Sequence, residues 1–551
     1  MTTYLRDSIV AVIEIEIRDL IIRNGTIFDG SGKPPFRGDI AIKGDRIRAI
    51  GSFGKEHAEQ EIDANNLAVT PGFINMLSWA CDSLIEDGRS LSDIKQGITL
   101  EVFGEGWSMG PLNDQMKEEA LKRQGDIKYD ISWTTLSEYL DYLEKAGVTP
   151  NVASFVGATT VRIHTLGYED RNPTEDEQQA MSELVDQAMR EGALGVASAL
   201  IYPPAFYAET EELIELCKVA ARYDGMYISH LRSEGANFHE ALNELISIAK
   251  AANIRAEIYH LKAAGKNNWH KLDSAIRKIN DARKSGVQIT TDCYTYTAGA
   301  TGLSSSFPPW TYEGGHDEFI KRLKDPDLRK RIMTEAQEQT DDWENLYLES
   351  GPENMFLISF KSDELKNLTG KTLAQVAKDR ETSPLITAMD LIIEDDSRVE
   401  TIYFMMSEDN VAKKIQLPYM SFGSDAASVA SEGVFLKSNP HPRAYGNVAR
   451  LLGHYCREEK LIPLEEAIRK LSSQPAKNLR IQDRGALKKG FFADIAVFDP
   501  NKIIDNATYE NPHKYASGMI HVFVNGTQVL KNGKHTNKTP GRVVRGPGWN
   551  Y

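Results

Sequence analysis

The chain has the length and composition of a soluble, acidic globular protein. It contains 551 residues, of which 41% are hydrophobic and 26% are charged, and this length exceeds what one hydrophobic core usually fills. Lys and Arg number 64 against 79 Asp and Glu, which gives a net charge of -15 and argues against nucleic acid or an anionic membrane as partner. One large domain with a smaller second domain is expected.

Cysteine usage and the N-terminus point to a cytoplasmic protein. The four cysteines are scattered without CxxC spacing, so neither a disulfide framework nor a thiolate zinc finger is indicated. The apolar run at residues 9–13 is followed at once by Glu14 and Glu16, which makes it too short and too acidic for a signal peptide. No apolar stretch of the sequence approaches the roughly 20 residues of a membrane span.

Both ends of the chain have the pattern of short antiparallel strands. Residues 19–51 alternate apolar and polar side chains around Asn24-Gly25 and Lys43-Gly44-Asp45, which are typical tight-turn sequences. Residues 491–500 and 521–533 show the same alternation. We therefore expect residues 1–68 and 480–551 to form one small discontinuous β-sandwich domain.

The middle of the chain alternates strands with helices. Helical segments such as 176–192 carry apolar residues at i, i+3, i+4 and i+7, as crossover helices on a parallel sheet do. This pattern predicts a (β/α)8 TIM-type barrel within residues 69–479, of class α/β. The eight predicted strands are 69–76, 97–103, 151–157, 192–200, 225–231, 254–261, 286–294 and 420–425.

One connection in this predicted barrel is much longer than the others. About 125 residues separate the seventh strand from the eighth, and "SSSFPPWTYEGGHDEF" begins the excess. A long excursion on the catalytic side of a barrel is usually a lid or a substrate-binding element. A lid insertion at about residues 303–352 is therefore expected.

Three candidate functional side chains stand at predicted strand ends, where barrel enzymes place their active-site groups. His230 closes "GMYISHL", His260 closes "AEIYHL" and Asp425 closes "MSFGSD". Imidazole and carboxylate groups bind divalent metals, and a further carboxylate can relay protons in hydrolysis. The alternative for each is an ordinary core or rim residue.

Several longer segments resemble one enzyme family. These segments are "PGFIN", "YISHLRSEG", "EIYHLKAAG", "DCYTYTAGATGL", "GSDAA", the block from "HPRAYGNVARLLGHY" to "FFADIAVFDP", and "HVFVNGTQVLKNGKHTNKTPGRVVR". Through them the sequence resembles the N-acyl-D-amino-acid deacylases (D-aminoacylases) of the amidohydrolase superfamily from about residue 19 to residue 546.

The resemblance implies a fold, a reaction and a set of ligands. The fold would be a metal-bearing barrel with a small β-sandwich, and the reaction would be hydrolysis of the amide in N-acyl-D-amino acids or related small acylated compounds. His230 and His260 would bind the metal. Asp425 would be the general base that takes a proton from the metal-activated water and returns it to the leaving amine.

The same resemblance implies a set of residues that bind the substrate carboxylate. Lys262, Tyr294 and Arg443 match family positions with that role. Two cationic donors suit the task, because Arg can hold a carboxylate through two parallel hydrogen bonds. The alternative for Lys262 and Arg443 is a solvated surface charge.

The chain also departs from the family in its metal ligands. The family's first strand supplies an HxH pair and a following Asp, whereas this chain has Leu77, Trp79 and Ala80. Near the third strand Ala158 stands where the family usually has His. The family's Cys ligand after the second strand is also missing, since the corresponding segment is "LEVFGEGWS".

A carboxylate can stand in for that cysteine. With a one-residue gap Glu105 aligns with the Cys position; without the gap Gly106 does, and Glu101 is the other candidate on the same strand face. Glu105, His230 and His260 would form a two-His-one-carboxylate site with an open position for water. One divalent ion is expected, Zn²⁺ first, with Mn²⁺ or Fe²⁺ compatible with this harder donor set. Either Glu could instead be a rim carboxylate.

Three functions are compatible with these residues. The first is a one-metal hydrolase that cleaves the linear amide of a small acylated amino acid. A catalytically degenerate protein that only binds an acylated ligand would also lack the HxH, His and Cys ligands, and metal content distinguishes the two. The third is a cyclic-amide hydrolase. Such enzymes usually need two metals bridged by a modified lysine, and the missing HxH pair argues against a second metal in this chain. The sequence makes no prediction of oligomeric state.

Overall fold

The computed structural model describes residues 18–54 and 56–549. The apolar run from which a signal peptide was excluded, and the first part of the predicted β-sandwich domain, lie outside these residues. Among the described residues, no helix combines the length and the apolar character that crossing a membrane requires.

The described residues contain twenty-one strands. In chain order they are β1 (Arg18–Ile27), β2 (Phe36–Lys43), β3 (Arg46–Gly51), β4 (Ala58–Asp63), β5 (Ala68–Pro71), β6 (Phe73–Asn75), β7 (Ile98–Phe103), β8 (Asn151–Ser154), β9 (Val156–Gly157), β10 (Gly195–Ala199), β11 (Met226–His230), β12 (Arg255–Ile258), β13 (Ile289–Cys293), β14 (Ala298–Gly302), β15 (Met355–Ser359), β16 (Glu400–Phe404), β17 (Met420–Phe422), β18 (Ile495–Phe498), β19 (Met519–Val524), β20 (Thr527–Lys531) and β21 (Lys534–His535).

The same residues contain eighteen α-helices, and a π-helical segment, Leu451–Glu458, continues the sixteenth. The helices are α1 (Ser83–Glu86), α2 (Leu91–Ile94), α3 (Asp114–Arg123), α4 (Leu136–Ala146), α5 (Ala158–Leu166), α6 (Glu175–Arg190), α7 (Thr210–Ala221), α8 (Phe238–Ala251), α9 (Leu272–Lys284), α10 (His316–Lys324), α11 (Pro326–Gln337), α12 (Leu346–Ser350), α13 (Leu373–Asp379), α14 (Pro384–Asp395), α15 (Glu408–Ile415), α16 (Arg443–Arg450), α17 (Leu464–Leu471) and α18 (Ser473–Asn478).

The two ends of the chain meet in one sheet. Its order is β21-β20-β19-β18-β5-β1-β2-β3, and β4 lies beside β1. Antiparallel pairing of β18 with β5 joins the C-terminal strands to the N-terminal ones. The predicted turn at Lys43-Gly44-Asp45 is confirmed as the hairpin between β2 and β3. The turn predicted at Asn24-Gly25 is wrong: these residues form an irregularity inside β1, where Asn24 has φ +57°.

The middle of the chain supplies two parallel ladders in chain order. One sheet is β6-β7-β8, and the other runs β9-β10-β11-β12-β13-β17. Backbone hydrogen bonds connect them on both sides, from Met76 N to Phe422 O at 3.1 Å and from Leu194 N to Ser154 O at 2.9 Å. Amphipathic helices cover the ladders; α6, for example, begins with a capping box at Thr174 and buries its apolar face.

The first predicted strand, 69–76, is in fact two strands in different sheets. β5 pairs with the terminal sheet and β6 begins the parallel ladder. Gly72 separates them, and a Cβ at this position would collide with the Thr99 side chain. The absence of a side chain thus lets the chain cross close to β7 as it passes from one sheet to the other.

The long connection forms a packed unit larger than the predicted insertion. β14, β16 and β15 make an antiparallel sheet in that order, so the unit extends beyond residue 352 to β16. Its own apolar cluster includes Phe307, Phe319 and Leu346 from the predicted lid together with Leu385 and Tyr403. The predicted lid 303–352 therefore shares a core with the residues after it, and its role as a lid stays a prediction.

Candidate metal centre

The structure brings the candidate ligands together at the carboxyl ends of parallel strands. His230 is the last residue of β11, His260 follows β12, and Glu105 follows β7 after a turn at Gly104 with φ +109°. Asp425 follows β17. Strand ends that are neighbours in a ladder deliver their side chains to one place, which is why four distant segments share a site.

Three donor atoms converge at this place. Glu105 Oε1 lies 2.8 Å from His260 Nε2 and 3.2 Å from His230 Nδ1. The three side chains are buried, and donor atoms of all three lie within 4.8 Å of one another. Two imidazole nitrogens and one carboxylate oxygen at such spacing fit a divalent ion with a further open position.

The charges of the cluster fit a metal as well. Burial lowers the pKa of His230, but the Glu234 charge and the Glu105 hydrogen bond outweigh it and raise that pKa to about 9. Burial acts to raise the pKa of Glu105, yet the neighbouring His260 and His230 hold it well below its usual range. The carboxylate is thus ionised, and a metal would replace a proton that the histidine otherwise keeps.

Glu101, the alternative carboxylate, lies elsewhere. It is inside β7, fully buried, and its Oε2 accepts a hydrogen bond from Asn75 Nδ2 at 2.9 Å. Burial raises the pKa of Glu101 to about 7. Among the described residues, the group of converging donors contains Glu105 and not Glu101, because the strand ends at Phe103 and the chain turns before Glu105.

Glu234, which was not predicted, contacts both histidines at the ring nitrogens that do not face Glu105. Its carboxylate lies 3.0 Å from His260 Nδ1, 3.3 Å from His230 Nε2 and 2.7 Å from Lys262 Nζ. Burial opposes its ionisation, but His230, Lys262 and His260 hold the pKa of Glu234 well below its usual range. Carboxylates in this position fix the orientation of metal-binding histidines. A carboxylate four residues after His230, in "SHLRSEG", is the signal that could have indicated it.

Asp425 faces the ligands from the eighth predicted strand. Its Oδ2 lies 3.0 Å from Arg443 Nη2. Burial raises the pKa of Asp425, the Arg443 charge acts to lower it, and the Glu105 charge adds to the rise. Asp425 and His260 both have left-handed backbones, with φ +50° and +32°. Such strained conformations cluster at functional sites.

Trp79 is also part of the site, although the sequence marked it only as a missing ligand. Its indole Nε1 lies 3.0 Å from Glu105 Oε2 and 3.2 Å from Asp425 Oδ1. The other departures from the family are apolar and buried, namely Leu77, Ala80 and Ala158. None of these three side chains carries a metal-binding atom.

The three predicted substrate-binding residues surround Asp425 and Glu234. Lys262 and Tyr294 line a cavity of about 490 Å³. The Arg443 guanidinium stacks over the Tyr294 ring, 4.4 Å from its centroid. Arg443 is 3% exposed, and its Nε and Nη1 atoms have no hydrogen-bond partner among the residues that the structure describes.

The cavity has walls from two parts of the chain. The parallel strands contribute the metal-site residues, and the packed unit after β13 contributes Phe307, Tyr312 and Arg398. Trp107 and Tyr202 add aromatic surface. A partly open cavity that combines aromatic surface with convergent charged groups suits a small polar molecule.

Comparison with known proteins identifies the family and the fold. The sequence matches the amidohydrolase family over residues 60–530. It is 31% identical to D-aminoacylase of Alcaligenes xylosoxydans xylosoxydans over 96% of this chain and 97% of that protein. A crystal structure of D-aminoacylase superposes with a TM-score of 0.79 at 30% identity, covering 96% of this chain and 100% of the other.

A second solved relative carries a metal. N-acyl-D-glutamate deacylase from Bordetella bronchiseptica, complexed with zinc and a phosphonate that mimics the tetrahedral intermediate, superposes with a TM-score of 0.79 at 28% identity. That superposition covers 96% of this chain and 100% of the relative. The fold and site therefore define a metal-dependent hydrolase of the TIM-barrel type. The chain belongs to the amidohydrolase family, and its resemblance to the D-aminoacylases is confirmed.

Proposed function

We propose that the protein hydrolyses the amide bond of N-acyl-D-amino acids or related small acylated compounds with one bound divalent ion. The observation that carries the proposal is the convergence of Glu105 Oε1, His230 Nδ1 and His260 Nε2 beside Asp425 in one cavity. The relatives that act on linear N-acyl-D-amino acids support it.

Glu105, His230 and His260 would hold the ion, and Zn²⁺ is the first candidate. A bound divalent ion supplies a polarised carbonyl and a water that loses its proton more readily. The zinc in the D-glutamate deacylase supports this metal. Mn²⁺ and Fe²⁺ remain compatible with a site that has a carboxylate where the family has a thiolate.

Asp425 would move the proton. Its carboxylate accepts a proton as water attacks the amide carbon and then delivers that proton to the departing nitrogen. Burial raises the pKa of Asp425 while Arg443 limits the rise. A base with a pKa moved towards the working pH both accepts and returns a proton efficiently.

Arg443, Lys262 and Tyr294 would bind the substrate carboxylate. The Lys262 charge is already balanced by Glu234 at 2.7 Å. Arg443 pairs with Asp425 through Nη2, and within the described part of the chain its buried Nε and Nη1 atoms lack acceptors. Buried guanidinium donors without acceptors are costly, so a shift of the Arg443 side chain that exposes them to the cavity would let them hold a carboxylate strongly.

The proposal includes the domain organisation expected from the sequence. Residues 69–479 would form a closed barrel, and 1–68 with 480–551 a separate β-domain. The strand order of the terminal sheet and the hydrogen bonds that link the two parallel ladders support this division. The insertion at 303–352 would cover the acyl pocket as a lid.

An activity screen tests the proposed function. The Zn²⁺-loaded protein is offered N-acetyl and N-formyl amino acids of both hands, and release of the free amine is measured. We expect hydrolysis of D-amino-acid derivatives, its loss in Asp425→Asn, and parent activity in Asp281→Asn, a control at an aspartate 73% exposed. Absence of hydrolysis of every compound by the metal-loaded parent would contradict the proposal and favour a protein that only binds acylated ligands.

A further inference from the structure

The indole of Trp79 stands between two carboxylates of the proposed site. Its Nε1 lies 3.0 Å from Glu105 Oε2 and 3.2 Å from Asp425 Oδ1. The rest of the Trp79 side chain reaches the cavity wall, where the residue is 39% exposed. One N–H group therefore serves two acidic side chains that come from different strands.

For Glu105, this contact separates the roles of its two oxygens. Oε1 faces His260 Nε2 and His230 Nδ1 at 2.8 and 3.2 Å, while Oε2 accepts from Trp79. A carboxylate with one oxygen already engaged presents the other as a single ligand atom in a fixed direction. The indole thus limits both the rotation of Glu105 and its use of two oxygens on one ion.

For Asp425, the indole provides a second donor beside Arg443. Asp425 Oδ2 pairs with Arg443 at 3.0 Å, and Oδ1 receives the Trp79 N–H at 3.2 Å. Each oxygen of the Asp425 carboxylate therefore has its own donor, and the two donors together fix the orientation of the carboxylate plane. The N–H dipole between the two carboxylates also offsets their mutual repulsion, which is strong where water is largely excluded.

We propose that Trp79 is a positioning residue that orients Glu105 as a single-oxygen ligand and fixes Asp425 towards the reacting water. This inference rests on the proposed function. Trp79 itself does not carry protons, because an indole N–H is a donor only. Groups that orient metal ligands typically contribute about 10- to 100-fold to metal affinity or activity.

The test replaces the donor and keeps a ring. Trp79→Phe removes the N–H at a partly exposed position, so the fold should be retained, which thermal unfolding checks. Trp549→Phe is the matched control, because it removes an indole N–H from a ring that packs against Arg545, 4.8 Å from the guanidinium carbon to the ring centroid, outside the residues that line the cavity. Zn²⁺ affinity is measured by chelator competition, and kcat and KM by hydrolysis of an N-acetyl-D-amino acid.

We expect Trp79→Phe to raise the Zn²⁺ dissociation constant about 10- to 100-fold and to lower kcat by about tenfold or more with KM changed less than about threefold. Trp549→Phe should match the parent. Equal Zn²⁺ affinity in Trp79→Phe and the parent would overturn the inference, whatever the activity. A loss confined to KM would overturn the role at Asp425. A parent that binds no Zn²⁺ would contradict both the inference and the proposed function, whereas a parent that binds Zn²⁺ without hydrolysis would contradict only the latter.

Discussion

Replacing Glu234 by Gln should weaken both the fold and the metal site. Glu234 is 2% exposed and lies 2.7 Å from Lys262 Nζ, which is itself 5% exposed. It also lies 3.0 Å from His260 Nδ1 and 3.3 Å from His230 Nε2. The Gln amide keeps the size of the side chain but removes the charge that these three groups share.

The magnitude follows from the burial of the partners. Removing one member of a buried ion pair usually costs about 3 to 5 kcal/mol, because the remaining charge is left without compensation. The Gln carbonyl can still accept one hydrogen bond, so we expect a loss of about 3 kcal/mol, at the lower end of that range. Metal affinity should fall about 10- to 100-fold, since the histidines lose the group that orients them.

Urea unfolding of the chelator-treated protein measures the first effect, and chelator competition measures the second. Glu318→Gln is the matched control: Glu318 pairs with Lys321 at 2.6 Å, but the two side chains are 44% and 70% exposed. An exposed pair of this kind contributes little to stability, because water screens its charges. If Glu234→Gln changed stability and metal affinity no more than Glu318→Gln does, the assigned role of Glu234 would be refuted.

Three further predictions concern single residues. His230→Ala should lose the metal, as measured by elemental analysis, because two remaining ligands form a poor site; unchanged metal content would refute the ligand. Asp425→Asn should keep metal and lose about 10²- to 10⁴-fold in turnover; turnover near the parent rate would show that another group moves the proton. The folded pKa of Glu101, about 7, lies above its ordinary 4.5, so between these values the folded state keeps a proton that the unfolded state has released. The free energy of unfolding of the metal-free protein should therefore fall as pH rises from about 5 to about 7, by at most about 1.4 kcal/mol for each pH unit. This fall, measured by urea unfolding, should be smaller in Glu101→Gln. An equal pH dependence in the parent and the variant would contradict the prediction.

The sequence predicted the parts of the site that depend on strand ends. His230, His260 and Asp425 each close a short apolar run, and parallel strands deliver such residues to a common edge. The sequence favoured Glu105 over Glu101 through the alignment with a one-residue gap, but alternation alone does not separate them, because it places both on one face while a strand continues. The strand ends at Phe103, and that ending decides which carboxylate meets the histidines.

Other features depend on contacts between distant segments. Glu234 lies on a loop with no periodic pattern, and its three partners come together only in the folded chain. Trp79 has no metal-binding atom, so its sequence position suggested a loss, whereas the structure gives its N–H two acceptors. The division of the first predicted strand into β5 and β6 also depends on a long-range contact, because β5 pairs with β18 in the C-terminal part of the chain, and local patterns do not contain such a contact.

Metal titration of the metal-free protein tests the central claim most directly. Zn²⁺ is added in known equivalents, and hydrolysis of an N-acetyl-D-amino acid is measured at each addition. The convergence of Glu105, His230 and His260 on one point predicts that activity rises linearly and stops at one equivalent per chain. No activity at any equivalence, or a plateau only at two equivalents, would contradict a one-metal amide hydrolase built on these three residues.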